Sequence, residues 1–332
     1  MRKKLNKLIV LLGLISLSFG GVDFSSTEIV PKTGTSGGHF LSVSPDAKFA
    51  GMGNAFSGYE NNSASSVFYN AATLVYVDAL DVFASSVQWI ADIQYTAGAI
   101  AYQRGSQSFA AHYRLLNTGN IEETTVHYPN GTGYDFAWKS MAVGVSYAKL
   151  LTNRFSFGMN IFYVSEGVAK YDLNANAVGV DVSTFYVTGF NSLKMGMNIR
   201  NFGPELDFNE SFVDYADGNS VSIEPYRPYH MPLTFQVGLS YDFFEKRKNE
   251  SLIVCLDGVH PNDSVERLNI GVEYTYLKLL SVRGGLYTNH DSASMMAGIG
   301  INTTGRSISL DYSISNYNLL GLIHQFSIGL AL

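Results

Sequence analysis

Residues able to do chemistry are present in this chain, but they are not gathered into a motif. The seven histidines are scattered, and none pairs with another at metal-ligand spacing. Asp257, His260 and Asp263 follow one another closely enough to suggest a metal site where a segment gives way to a loop. A solvated polar loop explains the same residues without an ion. Asp214, Asp217 and Asn219 in DYADGN resemble a fragment of a calcium loop but lack the spacing and closing glutamate of an EF-hand. No G-x-S-x-G, H-E-x-x-H, P-loop or C-x-x-C pattern occurs. Nothing points to a nucleophile, base and orienting group drawn from distant segments. The chain reads as a non-enzyme, with no metal or cofactor implied.

The charged residues that remain fall in a regular context. From Leu80 onward the chain alternates with period 2, the mark of strands with two unlike faces. Met141, Val143, Val145 and Tyr147 alternate with Ala142, Gly144, Ser146 and Ala148. Leu268, Ile270, Val272 and Tyr274 alternate with Asn269, Gly271 and Glu273, and Ile308, Leu310 and Tyr312 with Ser309 and Asp311. One face is large and apolar, the other small or polar, which suits lipid outside and a filled lumen inside. Asp257, Glu273 and Asp311 are therefore expected to point inward, because a lipid-facing charge at mid-depth costs about 2–4 kcal/mol for a basic group and less for an acidic one. There they can pair with Lys48 or line a channel, and Arg200 is placed in the same role.

Composition agrees. Charged residues are 15% of the chain, below the ~25% of soluble domains, while 32 Gly, 21 Tyr and 21 Phe are many. The net charge of −6 argues against nucleic acid as a partner. A single cysteine, Cys255, excludes an internal disulfide framework. Arg2, Lys3, Lys4 and Lys7 precede an apolar run from Leu8 to Phe19, so residues 1–20 read as a signal peptide, too short to span a bilayer as a helix. Residues 21–39 read as a polar, flexible tail. Residues 40–79 are Gly-, Ala- and Ser-rich with few charges, and are expected to form a plug inside whatever residues 80–332 enclose.

Fourteen segments are candidate strands: 80–90, 93–104, 106–117, 136–150, 153–169, 174–188, 192–202, 231–243, 250–258, 265–276, 278–288, 292–302, 304–315 and 321–332. The connections after odd-numbered segments include the two longest, 118–135 and 203–230, and those after even-numbered ones are short. Outer-membrane barrels keep short turns in the periplasm. The parity thus predicts periplasmic termini and a plug that enters from the periplasmic side. The expected class is an all-β transmembrane antiparallel barrel with an N-terminal plug, exported to the outer membrane and surrounded by its lipid. The inner faces read as small and polar.

FLSVSPDAKFAGMGNAF followed by YENNSASSVFYNAATL resembles the N-terminal signature of the PorV/PorQ family of FadL-like outer-membrane barrels. Its first box, D/G-A-R/K-x-x-G-M-G-x-A, is matched by Asp46, Ala47, Lys48, Gly51, Met52, Gly53 and Ala55. Its second, W/Y-N-P-A-G-L, is matched by Tyr69, Asn70, Ala72 and Leu74, with Ala71 in place of proline and Thr73 in place of glycine. The resemblance continues through SYAKLLTNRFSFG and NFGP to the closing GLIHQFSIGLAL. It implies a plug or gate at Asp46, Gly51, Gly53, Asn70 and Ala71. It also implies an accessory role in protein secretion of the type IX kind, with cargo proteins or secretion subunits as partners. Phe212, Tyr215, Tyr226 and Tyr229 in the second long loop would be the aromatic anchors of such docking. The wider FadL-like relationship implies the alternative, passive uptake of a hydrophobic small molecule past a mobile plug.

Overall fold

The computed structural model describes residue 32 and residues 34–214, 222–289, 295–303 and 307–332, with backbone only at 212–214 and 222–224. The expected signal peptide, most of the tail, and Tyr215, Asp217 and Asn219 lie outside the described residues. Fourteen long strands form one closed barrel. They are β1 (Leu80–Gln88), β2 (Gln94–Arg104), β3 (Gln107–Asn117), β4 (Lys139–Thr152), β5 (Phe155–Val168), β6 (Leu173–Val187) and β7 (Lys194–Phe202). The second half is β8 (Thr234–Asp242), β9 (Glu250–Pro261), β10 (Arg267–Tyr276), β11 (Leu280–Tyr287), β12 (Met295–Asn302), β13 (Ile308–Asn316) and β14 (Leu322–Ala331). Each strand pairs antiparallel with its sequence neighbour, and β1 closes on β14 from Asp81↔Ala331 to Gln88↔His324.

The alternation in the sequence becomes the two faces of this wall. Along β4, Met141, Val143 and Val145 are exposed outward while Ser140, Ala142, Ser146 and Ala148 are buried inward. Ile100, Phe109, Tyr163, Ile199, Val282, Ile299 and Phe326 continue the apolar outer belt around the barrel. Such a belt is stable only against hydrocarbon, and closure leaves no unpaired edge in it.

Connections after even-numbered strands are short and gather at one end. The three-residue turn between β10 and β11 sets Leu277 and Lys278 both at φ 55°, and Leu279 N closes it on Tyr276 O at 3.0 Å. The other end carries the long loops, stiffened by two small hairpins, Ile121–Glu122 with Asp135–Phe136 and Ser211–Asp214 with Ser222–Pro225.

Residues 36–79 run down the lumen from end to end. Ser36 pairs with His230 and Gly38 N donates to Glu166, both at the long-loop end. The chain then passes the 3-10 turn His39–Ser42, the short helix α1 (Ala47–Gly51) and the 3-10 turns Ala64–Phe68 and Ala71–Tyr76. It reaches the short-turn end at Leu80, where β1 starts. The expectation that this segment enters from the short-turn side is therefore reversed: the segment comes in between the long loops. Nearly all of residues 47–77 are buried, so the core of the molecule is the inside of the barrel.

Candidate functional site

The plugged lumen is the candidate site, and its geometry begins at Asp46. This buried side chain caps α1, accepting from Lys48 N at 2.9 Å. Its carboxylate also accepts from Ser65 Oγ at 2.7 Å and from Ser327 Oγ of β14 at 3.1 Å. One residue thus starts the helix, ties two parts of the plug and fixes both to the wall.

Beside it, plug backbone rests directly on wall backbone. A Cβ on Gly51 would sit 3.0 Å from Gly298 Cα, and one on Gly285 would sit 2.0 Å from Gly53 N. Gly53 has φ +61°, so both its conformation and its contact call for glycine. On the far side, a Cβ on Gly158 would meet Ala72 N at 2.2 Å. Asn70 closes the lower turn: its Nδ2 donates to Ser57 O and Thr184 O at 3.0 and 3.1 Å, and its Oδ1 accepts from Ala72 N at 3.1 Å. Ala71 is buried there as the first residue of the 3-10 turn. The five residues singled out by resemblance thus lie along one plug, in contact with opposite walls.

From β8 to β14 the wall is polar and grips the plug by hydrogen bonds. Asp257 Oδ2 accepts from Phe56 N at 3.0 Å, Ser57 N at 2.8 Å and Gln236 Nε2 at 2.7 Å. Glu273 accepts from Tyr59 OH at 2.7 Å and from Arg283 Nε at 2.5 Å, and Arg283 Nη1 reaches Asp311 at 2.5 Å. The inward acids are thus held by Arg283 and by plug donors. Lys48, the cation expected to pair with them, instead donates to Asn61 Oδ1 at 3.3 Å. Arg200 points inward and donates to Phe68 O at 3.3 Å.

From β2 to β6 the wall is different: the inner face, expected to be small and polar, also carries larger apolar side chains. Ala97, Ala99, Ala101, Ala110, Ala142, Phe162, Val164, Ala175 and Ala177 make an apolar inner face. Phe40, Leu41, Phe68 and Leu74 of the plug belong to the same apolar cluster. Alanines counted as merely small in sequence thus pack with the plug into one apolar cluster, interrupted on the same inner face by Ser108, His112, Arg114, Ser140, Ser146, Asn160 and Asp181.

That cluster runs up to the long-loop mouth. Leu206 and Met231 are buried there, Phe208 packs edge-on against Trp138 and Tyr226 and tilted against Tyr229, and Tyr229 OH donates to Glu166 at 2.5 Å. Burial, then the hydrogen bond to the Glu166 carboxylate, pushes the Tyr229 phenol well above its ordinary pKa. Of the four proposed docking aromatics, Tyr229 is thus part of a lid, and Tyr226 stacks on it through Phe208. The Phe212 side chain and Tyr215 lie outside the described residues. Further out, Glu123 accepts from Tyr171, Lys170 and Thr132, which hold its carboxyl at about 2.

At the opposite end, below the plug, lies a polar cavity of about 960 Å³ lined by Lys48, Tyr59, Glu60, Lys194, Asp242 and Arg283 among others. The residues first considered for metal binding do not converge. Asp257 faces the lumen, His260 pairs with Glu266 at 3.0 Å, and Asp263 faces Ser36 and His39. Among the described residues no three His, Cys, Asp or Glu side chains are grouped to hold an ion.

No family model and no characterised relative matches the sequence. Solved structures do match. The CymD monoaromatic hydrocarbon channel aligns with a TM-score of 0.58 at 11% identity, over 87% of this chain and 98% of that one. The Pseudomonas putida toluene transporter TodX aligns at 0.56 and 12%, over 85% and 96%. A Pseudomonas aeruginosa FadL homologue aligns at 0.54 and 9%, over 87% and 98%. Over nearly its whole described length, the chain shares the FadL-like barrel fold of these channels.

Proposed function

We propose that this chain is an outer-membrane channel for a hydrophobic small molecule, with its long loops outside the cell and its short turns in the periplasm. The observation that carries this reading is the apolar cluster of β2–β6. It connects the aromatic lid around Tyr229 with the interior, and the polar cavity lies beyond the plug. A molecule that leaves the cluster there passes from a greasy to a wet surface, as a passive route requires. The likeness to hydrocarbon channels supports the reading at the level of fold. Asp46, Gly51, Gly53, Asn70 and Ala71 would be the parts of the gate that move or hold.

A secretion role of the PorV/PorQ kind would use the long loops to dock cargo. It loses support from the inward turn of Tyr229 and the stacking of Tyr226, which leave those rings serving the lid. Proteoliposome uptake of N-phenylnaphthylamine tests the choice. Entry faster than into protein-free vesicles is expected, and equal rates would remove the channel reading.

A further inference from the structure

On the outer wall, three cross-strand rows cross β2–β5 in order from the short-turn end. The first is Arg104, Gln107, Lys149 and Phe157, the second Tyr102, Phe109, Tyr147 and Met159, and the third Ile100, Ala111, Val145 and Ile161. All lie in the outward register, and Ile100, Tyr102, Phe109, Val145 and Ile161 are exposed. Ala111 leaves the third row short of side chain, and beside its partner Val145 the wall is hollow. A cavity of about 280 Å³ opens there to the outside, lined by Phe109, Val145, Tyr147, Met159 and Ile161 over a floor of Ala110 and Ser146. Phe109 and Tyr147, a tilted pair with ring centroids 5.3 Å apart, separate the hollow from the first row. Arg104 and Lys149 form no ion pair among the described residues. They stand two strand spacings apart, about 10 Å between backbones, so their long side chains can meet on one phosphate. No Asp or Glu occurs in residues 93–121, 137–165 or 182–204, so the wall around this row, with Arg154 in the next turn, carries cations without acids. The β8–β9 turn, farther round the rim, instead mixes Asp242, Glu245 and Glu250 with Lys246, Arg247 and Lys248.

We propose that this patch is a binding site for one anionic phospholipid, held on the outside of the barrel in the leaflet that meets the short turns. The phosphate sits between Arg104 and Lys149, the glycerol esters lie on the Phe109–Tyr147 pair, and one acyl chain fills the hollow beyond. The order of the rows is that of a lipid standing in its leaflet: charge toward water, aromatic rings at the interface, hydrocarbon toward the bilayer centre. A zwitterionic lipid fits the hollow as well, but its ammonium group finds no acid beside the first row. The orientation proposed above makes this the periplasmic leaflet, while the site itself does not depend on what crosses the lumen.

The test is native mass spectrometry of the full chain from detergent micelles that carry equimolar dioleoylphosphatidylglycerol and dioleoylphosphatidylcholine. One phosphatidylglycerol per barrel should be retained, at least about tenfold over phosphatidylcholine, since each basic group beside a headgroup contributes about fivefold. Arg104→Gln with Lys149→Gln should abolish that preference and leave phosphatidylcholine retention as it was. Arg247→Gln, in the β8–β9 turn, should leave the preference intact. Val145→Trp fills the hollow without touching a charge and should lower retention of both lipids several-fold. Equal retention of the two lipids by the native protein, or a preference that survives the double substitution, overturns the proposal. So does a preference lost equally in Arg247→Gln, or unchanged retention in Val145→Trp.

Discussion

Replacing Asp257 with alanine should open the plug without dissolving the barrel. The carboxylate accepts from two consecutive plug amides, Phe56 N and Ser57 N, and from Gln236 Nε2, all at 3.0 Å or less. Asp257 is fully buried, so water cannot readily replace these bonds. Leaving a buried donor unmade costs about 1–3 kcal/mol. Loss of two plug donors therefore weakens plug seating by about 2–6 kcal/mol, against the other hydrogen bonds that still tether residues 54–59. Among those are Asn198 to Ser57 Oγ, Gln236 and Asn269 to Asn54 O, Ser240 to Gly58 O and Tyr59 to Glu273. The assay is single-channel conductance in planar bilayers, with thermal unfolding in parallel. Asp257→Ala should show frequent open events and only a modest loss of barrel stability. Asp242→Ala is the control. Asp242 accepts from Phe244 N at 2.8 Å in the β8–β9 turn and from Leu252 N of β9 at 3.1 Å, neither in the plug. It should cost comparable stability with no added conductance. Equal conductance of the two variants would refute the assignment of Asp257 as a plug anchor.

Gly285→Val places a side chain where Gly53 N stands 2.0 Å from the ideal Cβ, so the plug cannot seat and conductance should rise. Ala71→Pro should raise stability by about 0.4–1 kcal/mol in chemical unfolding, because Ala71 starts a 3-10 turn after an extended Asn70. A loss of stability would mean that the ring strikes the β5 backbone at Gly158. The Glu123 carboxyl, drawn down to about 2 by Tyr171 and then Lys170 and Thr132, supports the loop clamp fully above the ordinary carboxylate pKa of about 4.3 and loses that support as pH falls through about 2. Carbon NMR titration of Glu123 should show this low midpoint, and Tyr171→Phe should move it upward.

The barrel was legible because lipid imposes a rule on every outward position. Each of the fourteen expected segments matches a strand to within four residues at either end over the described residues. The inward place of Asp257, Glu273 and Asp311 followed from the same rule. The direction of the plug did not, because it depends on contacts hundreds of residues apart, such as Ser36 with Asp263 and Ser44 O with Gln325. Nothing local in the Gly/Ser/Thr-rich tail announces them. The apolar cluster was missed for another reason: Ala142 or Ala177 alone says only "small", and its chemistry comes from its neighbours across the sheet. Arg114 and His112 did carry a signal. They alternate with Phe109, Tyr113 and Leu115 in the outward register, which already places a guanidinium inside the lumen.

The passage of residues 36–79 from one mouth to the other restricts how the molecule can be put together. A segment that enters at one rim and leaves at the opposite rim as β1 cannot be inserted afterwards into a finished cylinder without being threaded through the bore. A sheet that curls around this segment before its β1–β14 seam closes avoids that threading. The segment is anchored at the short-turn rim, where it becomes β1 at Leu80, so any displacement of the plug draws its long-loop end along the bore.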